Sequence, residues 1–415
     1  MTLLADLLSN LFDRRYDLLR RKPVDDDRPL RTLMSDLLST SGETSGQALA
    51  QAILDKFGSA GDEEKVEFFR YLAEDLTINP GQVRKALSSY EKTPSKKTYR
   101  DFMSAAEPAR QELIRRLNQA AGGTEALVAM RADLLRLSKG KPSLDLLDLD
   151  FRHLLGSWFN RGFLVLRPVN WSSPAHILEK IIAYEAVHAI DTWEELRRRL
   201  EPEDRRCFAF FHPAMPDEPL IFVEVALTTG TPGSIQSLLA EDREYLNGED
   251  ADTAAFYSIS NCQAGLANIS FGNSLIKQVA IDLSAELANL NSFVTLSPIP
   301  GFTTWLNENG LTTDSDDEEL LSHGARYLVT AKGDRGMPLD PVARFHLGNG
   351  AEIYRLNANG DITEKGMRQS RGFMVNYRYD LSRTSLNHER FASSGEIAMS
   401  ADIRALSVAG VKKSA

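Results

Sequence analysis

Between Phe256 and Phe302 the sequence reads strand, glycine-containing loop, amphipathic helix, strand, and then a serine between an apolar run and a proline. The segments are FYSIS (256–260), NCQAGLANISFGN (261–273), SLIKQVAIDLSAELANL (274–290), SFVTL (292–296) and SPIPGF (297–302). Helical spacing puts Ile276, Val279, Ala280, Leu283, Leu287 and Leu290 on one face, which suits packing on a sheet. A crossover between parallel strands is right-handed, and a ligand then lies near the carboxyl ends of the strands. Gly265, Gly272, Ala264 and Ala267 let backbone amides approach a ligand closely. The start of the helix offers unpaired amides and a positive dipole end, which suits a pyrophosphate. The loop is neither a Walker loop nor a GxGxxG, so a tight strand–helix turn without a ligand is also open.

The 415 residues suggest two or three domains. A net charge of −10 argues against a general nucleic-acid binder, because that affinity comes from neutralising phosphates. Two cysteines, Cys207 and Cys262, cannot form a disulfide framework and point to a reducing compartment. The start MTLLADLLSNLFDRRYDLLRR lacks signal-peptide form, and no run of 18 apolar residues predicts a membrane span.

Up to about residue 158 the pattern is helical. Leu3, Leu4, Leu7, Leu8, Leu11 and Tyr16 follow helical spacing, as does KVEFFRYLAEDL (65–76), which Asn79-Pro80 is expected to close. RQELIRRLNQA (110–120) stops at Gly122-Gly123, and Thr124 is expected to cap the next helix. From about residue 162 strands appear. FLVLRPV (163–169) suits a strand, and CFAFFH (207–212) with LIFVEVAL (220–227) reads as an antiparallel hairpin. RYLVTA (326–331), ARFHLGNG (343–350) and AEIYRLN (351–357) are expected to add short strands. FMVNYRYDL (373–381) reads as a strand or a transition into a terminal helix, and DSDDEE (314–319) as a solvated loop or helix start. The fold class is α+β: a helical domain (1–158) followed by a mixed α/β domain (159–415).

Three features could carry chemistry. Ser297 follows the strand SFVTL and precedes Pro298, at the end where the ligand of a parallel unit would lie. A turn serine has the same appearance, and no GxSxG elbow is present. His346 sits in ARFHLGNG, where strand alternation would put it opposite Phe345 and Leu347; His212 has an equal claim on composition. Tyr377 and Tyr379 of NYRYDL share one face of an extended segment, either as phenol donors or as a core pair. No spacing of His, Cys, Asp and Glu suggests a metal triad.

FAFFHPAMPDEPLIFVEVAL, FYSISNCQAGL, FGNSLIK, LSPIPGF, FHLGNGA and MVNYRY occur in this order between Phe208 and Tyr379. Together they resemble the signature segments of the malonyl-CoA decarboxylase family. The resemblance implies a helical domain used in oligomer contacts and a catalytic domain similar to the GNAT acetyltransferase fold. It implies decarboxylation of malonyl-CoA to acetyl-CoA and CO2 through a thioester enolate, with neither metal nor organic cofactor. On the family's motifs the catalytic serine matches Ser297, the histidine His346 and the tyrosine Tyr379. The CoA contacts match Ala267, Asn268, Ile269, Ser270, Phe271, Gly272 and Asn273, with Ile276 or Lys277 close by. At Ala267 and Asn268 the chain departs from the family pattern, so contacts there would run through the backbone. The expected partners are malonyl-CoA and further copies of the chain, as a dimer or tetramer, with no nucleic acid and no membrane. The ending VKKSA is not the peroxisomal tripeptide, and a cytoplasmic location is expected. An acyl-CoA-dependent N-acyltransferase is the alternative, since it would share the CoA-binding unit.

Overall fold

The computed structural model describes residues 26–269, 275–311, 316–333 and 336–409. The apolar stripe from Leu3 to Tyr16 and the loop residues Ser270, Phe271, Gly272 and Asn273 lie outside them. The chain divides into two compact units. One holds the residues up to Val165 with Phe211–Leu220 and the loop from Gln263; the other holds Leu166–Phe210, Ile221–Cys262 and the chain from Phe271.

Helices α1 (Leu30–Ser39), α2 (Glu43–Ser59), α3 (Asp62–Glu74) and α4 (Pro80–Lys92) open the first unit. They are followed by α5 (Lys96–Ala106), α6 (Ala109–Leu117), α7 (Gly123–Leu137) and α8 (Pro142–Trp158). Of these, α1–α3 and α6–α8 bury apolar stripes. Phe57, Phe68 and Phe69 pack with ring centroids 4.9–5.8 Å apart, and Leu72, Leu113, Leu134 and Phe151 are buried too. Each such side chain contributes roughly 1.5–3 kcal/mol on burial.

Two helix boundaries differ from expectation. Asn79 does not close α3; its side chain accepts the N–H groups of Gly81 and Gln82 and so starts α4, with Pro80 in the first turn, where a missing N–H costs nothing. Thr124 lies inside α7, and its hydroxyl donates to Asn118 Oδ1; the position before the helix is Gly122, at φ +70°. The loop from Gln263 makes one turn, Ala264–Leu266, against α7. A Cβ on Gly265 would fall 1.8 Å from the Val128 carbonyl oxygen. This glycine therefore answers to close packing on a helix rather than to a ligand. Buried Arg131 donates through Nη1 to the carbonyls of Gly265 and Ala267, pinning the same loop.

The second unit is a mixed sheet with helices. It begins with β1 (Val165–Val169), α9 (Ala175–Tyr184), α10 (Trp193–Leu200), β2 (Arg205–Phe211) and β3 (Ile221–Thr228). Next come α11 (Ile235–Leu239), β4 (Thr253–Asn261), α12 (Leu275–Glu286), β5 (Ser292–Thr295) and β6 (Ser297–Pro298). Last are α13 (Phe302–Glu308), α14 (Asp317–Thr330), α15 (Pro341–Gly348), β7 (Glu352–Asn357), α16 (Glu364–Ser370), β8 (Met374–Arg378), α17 (Thr384–Ser394) and α18 (Ala401–Ala409). The strand order is β1-β2-β3-β4-β5-β8-β6, with β7 on β8. The β2–β3 pair is antiparallel, and β4–β5 is the parallel pair on which the GNAT-like expectation rests. Helix α12 buries Ile276, Val279, Ala280 and Leu283 in one core with Phe256 and Phe293.

Two expected strands are helices. RYLVTA ends α14, whose first turn carries Asp317, Glu318 and Glu319 behind the cap Asp316, so the acidic run is a helix start. ARFHLGNG belongs to α15. Asp340 caps it by accepting the N–H groups of Val342 and Ala343, and Pro341 occupies the first turn. That cap and proline outweigh the β-leaning residues that follow.

Candidate active site

The chain loses one of its two partners beside the parallel pair. Phe256 and Thr295 are the last residues of β4 and β5 in register, while pairing with β8 on the other edge runs from Val294–Arg378 to Ser297–Val375. The ladder is bridged there by side chains. Thr295 Oγ1 accepts the Tyr377 N–H at 3.1 Å, and Asn376 Nδ2 donates to the Thr295 carbonyl at 2.7 Å and to the Pro232 carbonyl at 3.0 Å. Thr295 and Ser297, two apart in an extended run, share a face. Their hydroxyls meet, Ser297 Oγ donating to Thr295 Oγ1 at 2.8 Å.

His346 reaches the same place by a short local path. It lies near the end of α15. The chain then turns through Gly350, at φ +83° with the Thr384 carbonyl oxygen 2.0 Å from where a Cβ would stand, so only glycine fits. It enters β7, which pairs Ile353 with Tyr377 on β8. The imidazole consequently stacks on the Tyr377 ring, with centroids 4.4 Å apart and planes 22° apart. His346 Nδ1 lies 2.8 Å from the Tyr379 hydroxyl, and His346 Nε2 lies 3.2 Å from Ser297 Oγ.

All of these side chains are buried. Burial pushes the His346 pKa down to about 3, because a charged ring would lose its water. The same loss of water pushes the Tyr379 and Tyr377 phenols well above their ordinary range. A neutral imidazole thus sits between two protonated hydroxyls. Such a chain can carry a proton one way and present a hydroxyl to a substrate without charging any member. Among the described residues the Tyr377 hydroxyl has no hydrogen-bond partner, and this residue serves the site through its ring.

Helical packing corrects the alternation argument for His346. Within α15 both His346 and Leu347 are buried, and Phe345 is 39% exposed. His212 belongs to the helical unit and packs on Phe159, with ring centroids 4.7 Å apart. Sequence reasoning missed Thr295 and Asp340. The first shares Ser297's face at a spacing of two, and the second precedes a proline that starts a helix; either signal was available. Among the described residues no three His, Cys, Asp or Glu side chains are grouped as a metal site requires.

Of the expected CoA contacts that are described, Ala267 holds its carbonyl on Arg131, and Asn268 adopts φ +60°. Ile269 is buried. Ile276 is buried in the core, which leaves it no side-chain contact to offer, whereas Lys277 Nζ lies 3.1 Å from Ser385 Oγ in an exposed position.

Family models match both parts of the chain. The malonyl-CoA decarboxylase C-terminal domain matches residues 162–323 and 308–415, and the malonyl-CoA decarboxylase N-terminal domain matches residues 77–159. The chain belongs to the malonyl-CoA decarboxylase family. A crystal structure of malonyl-CoA decarboxylase from Rhodopseudomonas palustris is 48% identical, with a TM-score of 0.85 over 91% of this chain and 98% of that one. The one from Cupriavidus metallidurans is 34% identical, with a TM-score of 0.72 over the same shares. The mitochondrial malonyl-CoA decarboxylase of Anser anser anser is 34% identical over 407 residues, covering 83% of this chain and 80% of that relative.

Burial of neutral rings gives this family member a definite acid response. Like His346, the half-buried His188 is held neutral by loss of water, its pKa pushed down to about 4. Unfolding returns both rings to the ordinary 6.5. The unfolded chain therefore takes up protons near pH 6.5 that the native state refuses. Their contribution to stability is complete above pH 6.5 and is lost as pH falls through 4 and 3. Between pH 7 and 5 the loss is about 2 kcal/mol per ring. Urea unfolding at the two pH values measures it, and His346→Asn should remove the share carried by that ring. An unchanged pH dependence in that variant contradicts the assignment.

Proposed function

We propose that this protein decarboxylates malonyl-CoA to acetyl-CoA and CO2, with Ser297, His346 and Tyr379 as its reacting and orienting groups. The observation that carries the reading is the buried, uncharged chain of hydrogen bonds from Tyr379 through His346 to Ser297, in a member of the malonyl-CoA decarboxylase family.

The reaction breaks the bond between the carboxylate and the α-carbon. Its electron pair moves into the thioester, giving an enolate with charge on the thioester oxygen. Protonation of the α-carbon then completes acetyl-CoA. One solvent proton is consumed for each CO2 released. The barrier is the charge developing on that oxygen, and a preorganised donor aimed there is worth about 3–4 kcal/mol. Ser297 hydrogen-bonds the malonyl group and takes part in the proton relay. His346 supplies the proton to carbon, directly or through Ser297, or acts as donor to the oxyanion, and Tyr379 orients it. Neutral O–H and N–H donors suit this role, because the acid they form on carbon is far weaker than they are. Dry surroundings also help: a carboxylate is destabilised away from water, and CO2 is not. The motif resemblance supports assigning the CoA pyrophosphate to the loop Ala267–Asn273, which precedes α12 in sequence. The full-length relatives are decarboxylases, so the acyltransferase alternative is set aside.

The same proposal includes self-association through the helical unit, as a dimer or tetramer. Helices α4 and α5 bury no side chain, and they leave Leu87, Tyr99 and Met103 exposed. Light scattering should show an oligomer that Met103→Glu shifts to smaller species. A monomeric wild type rejects this part.

The chemical assignment is tested by following CO2 and acetyl-CoA released from malonyl-CoA. Replacement of His346 by Asn should lower kcat by about 10²–10⁴-fold with little change in KM. A kcat near wild type would remove His346 from the mechanism.

A further inference from the structure

We propose that Thr295 is a positioning residue that sets the direction of the proton relay. By holding the Ser297 proton it fixes His346 as the tautomer protonated on Nε2. The inference rests on the reading of Ser297 and His346 as the reacting site and deepens it.

The argument is a count of hydrogens. Ser297 has one hydroxyl hydrogen, and it is donated to Thr295 Oγ1 at 2.8 Å. Towards His346, Ser297 Oγ can then only accept, so the hydrogen in the 3.2 Å contact belongs to His346 Nε2. A neutral ring with its hydrogen on Nε2 has a bare Nδ1. The 2.8 Å contact with Tyr379 is therefore a donation from the phenol to the ring. Every hydrogen in the chain points one way, from Tyr379 to His346 to Ser297 and outward to Thr295. Thr295 itself cannot drift: it is fully buried, its Oγ1 also accepts the Tyr377 N–H, and its carbonyl accepts Asn376 Nδ2.

This direction suits delivery of a proton to carbon. When the enolate carbon replaces Thr295 as the acceptor, the Ser297 O–H bond breaks and a C–H bond forms. The Nε2 hydrogen of His346 passes to Ser297 Oγ, the Tyr379 hydrogen passes to His346 Nδ1, solvent returns one proton to Tyr379, and return of the ring hydrogen from Nδ1 to Nε2 resets the chain for the next turnover. Without an acceptor at position 295, the Ser297 hydrogen turns to Nε2. The ring then carries its hydrogen on Nδ1, and the chain points the wrong way.

The test uses full-length protein with ¹⁵N-labelled histidine, the His346 signal being identified by its loss in His346→Gln. The wild type is expected to show the hydrogen on Nε2. Thr295→Val is expected to move it to Nδ1 and to lower kcat by about 10²-fold, with KM for malonyl-CoA within about threefold. Thr295→Ser, which keeps the hydroxyl, is expected to restore both. A hydrogen on Nδ1 in the wild type overturns the inference at once, so the test does not depend on how well Thr295→Val folds. Retention of the Nε2 hydrogen in Thr295→Val also overturns it. Failure of the underlying reading looks different: Ser297→Ala would then turn over malonyl-CoA as fast as wild type, whatever the tautomer.

Discussion

A buried imidazole must satisfy two different ring nitrogens at once, one as donor and one as acceptor, without help from water. His346 meets that demand through Tyr379 at Nδ1 and Ser297 at Nε2, while its face is covered by Tyr377. Much of the second unit can be understood as the scaffold for those three contacts. Asp340 starts the helix that carries His346, although its own carboxyl is pushed above the usual range by burial. Gly350 turns the chain from that helix into β7, and β7 lies in register with β8, which bears Tyr377 and ends just before Tyr379. An unpaired nitrogen in such a place would cost about 1–3 kcal/mol, so a loosened contact weakens the fold as well as the site.

The sheet supplies the remaining contact by a break in its regularity. In an unbroken parallel pair Ser297 would continue beside β4. Instead β4 drops away after Thr295 while β8 stays paired on the other edge, and between Val294 and Ser297 the side chains of Thr295 and Asn376 bridge to β8. A polar group inside a core is tolerated when it is fully hydrogen-bonded, and here the same bonds orient a hydroxyl. Structure and chemistry therefore draw on one set of atoms. The Tyr377 hydroxyl, buried without a partner, is the exception within this cluster.

Part of this arrangement was legible in the sequence. Apolar spacing marked α3, α6 and α7 of the first unit, the β2–β3 hairpin and the face of α12, because burial imposes period 3.6 or 2 directly on residue type. Motif resemblance pointed to Ser297, His346 and Tyr379 as a set, which spacing alone could not do. The helices α14 and α15 were hidden by aromatic and β-branched residues at their ends, and the signals that decide them are a cap at Asp316 and a cap followed by proline at Asp340-Pro341. Gly265 looked like a ligand-loop glycine and is a packing glycine, since its neighbour Val128 is more than a hundred residues away in sequence. The role of Thr295 depends on a contact across strands and on one hydrogen, neither of which a linear pattern carries.

The account rests on His346 being held neutral by burial while it remains wired at both nitrogens. An NMR titration of its ring in the intact protein tests this most directly. The expected result is a neutral ring, hydrogen-bonded on both sides, with no protonation step between pH 8 and 5, in keeping with a pKa pushed down to about 3. A midpoint near 6.5 would mean that the ring is open to water, and would contradict the account.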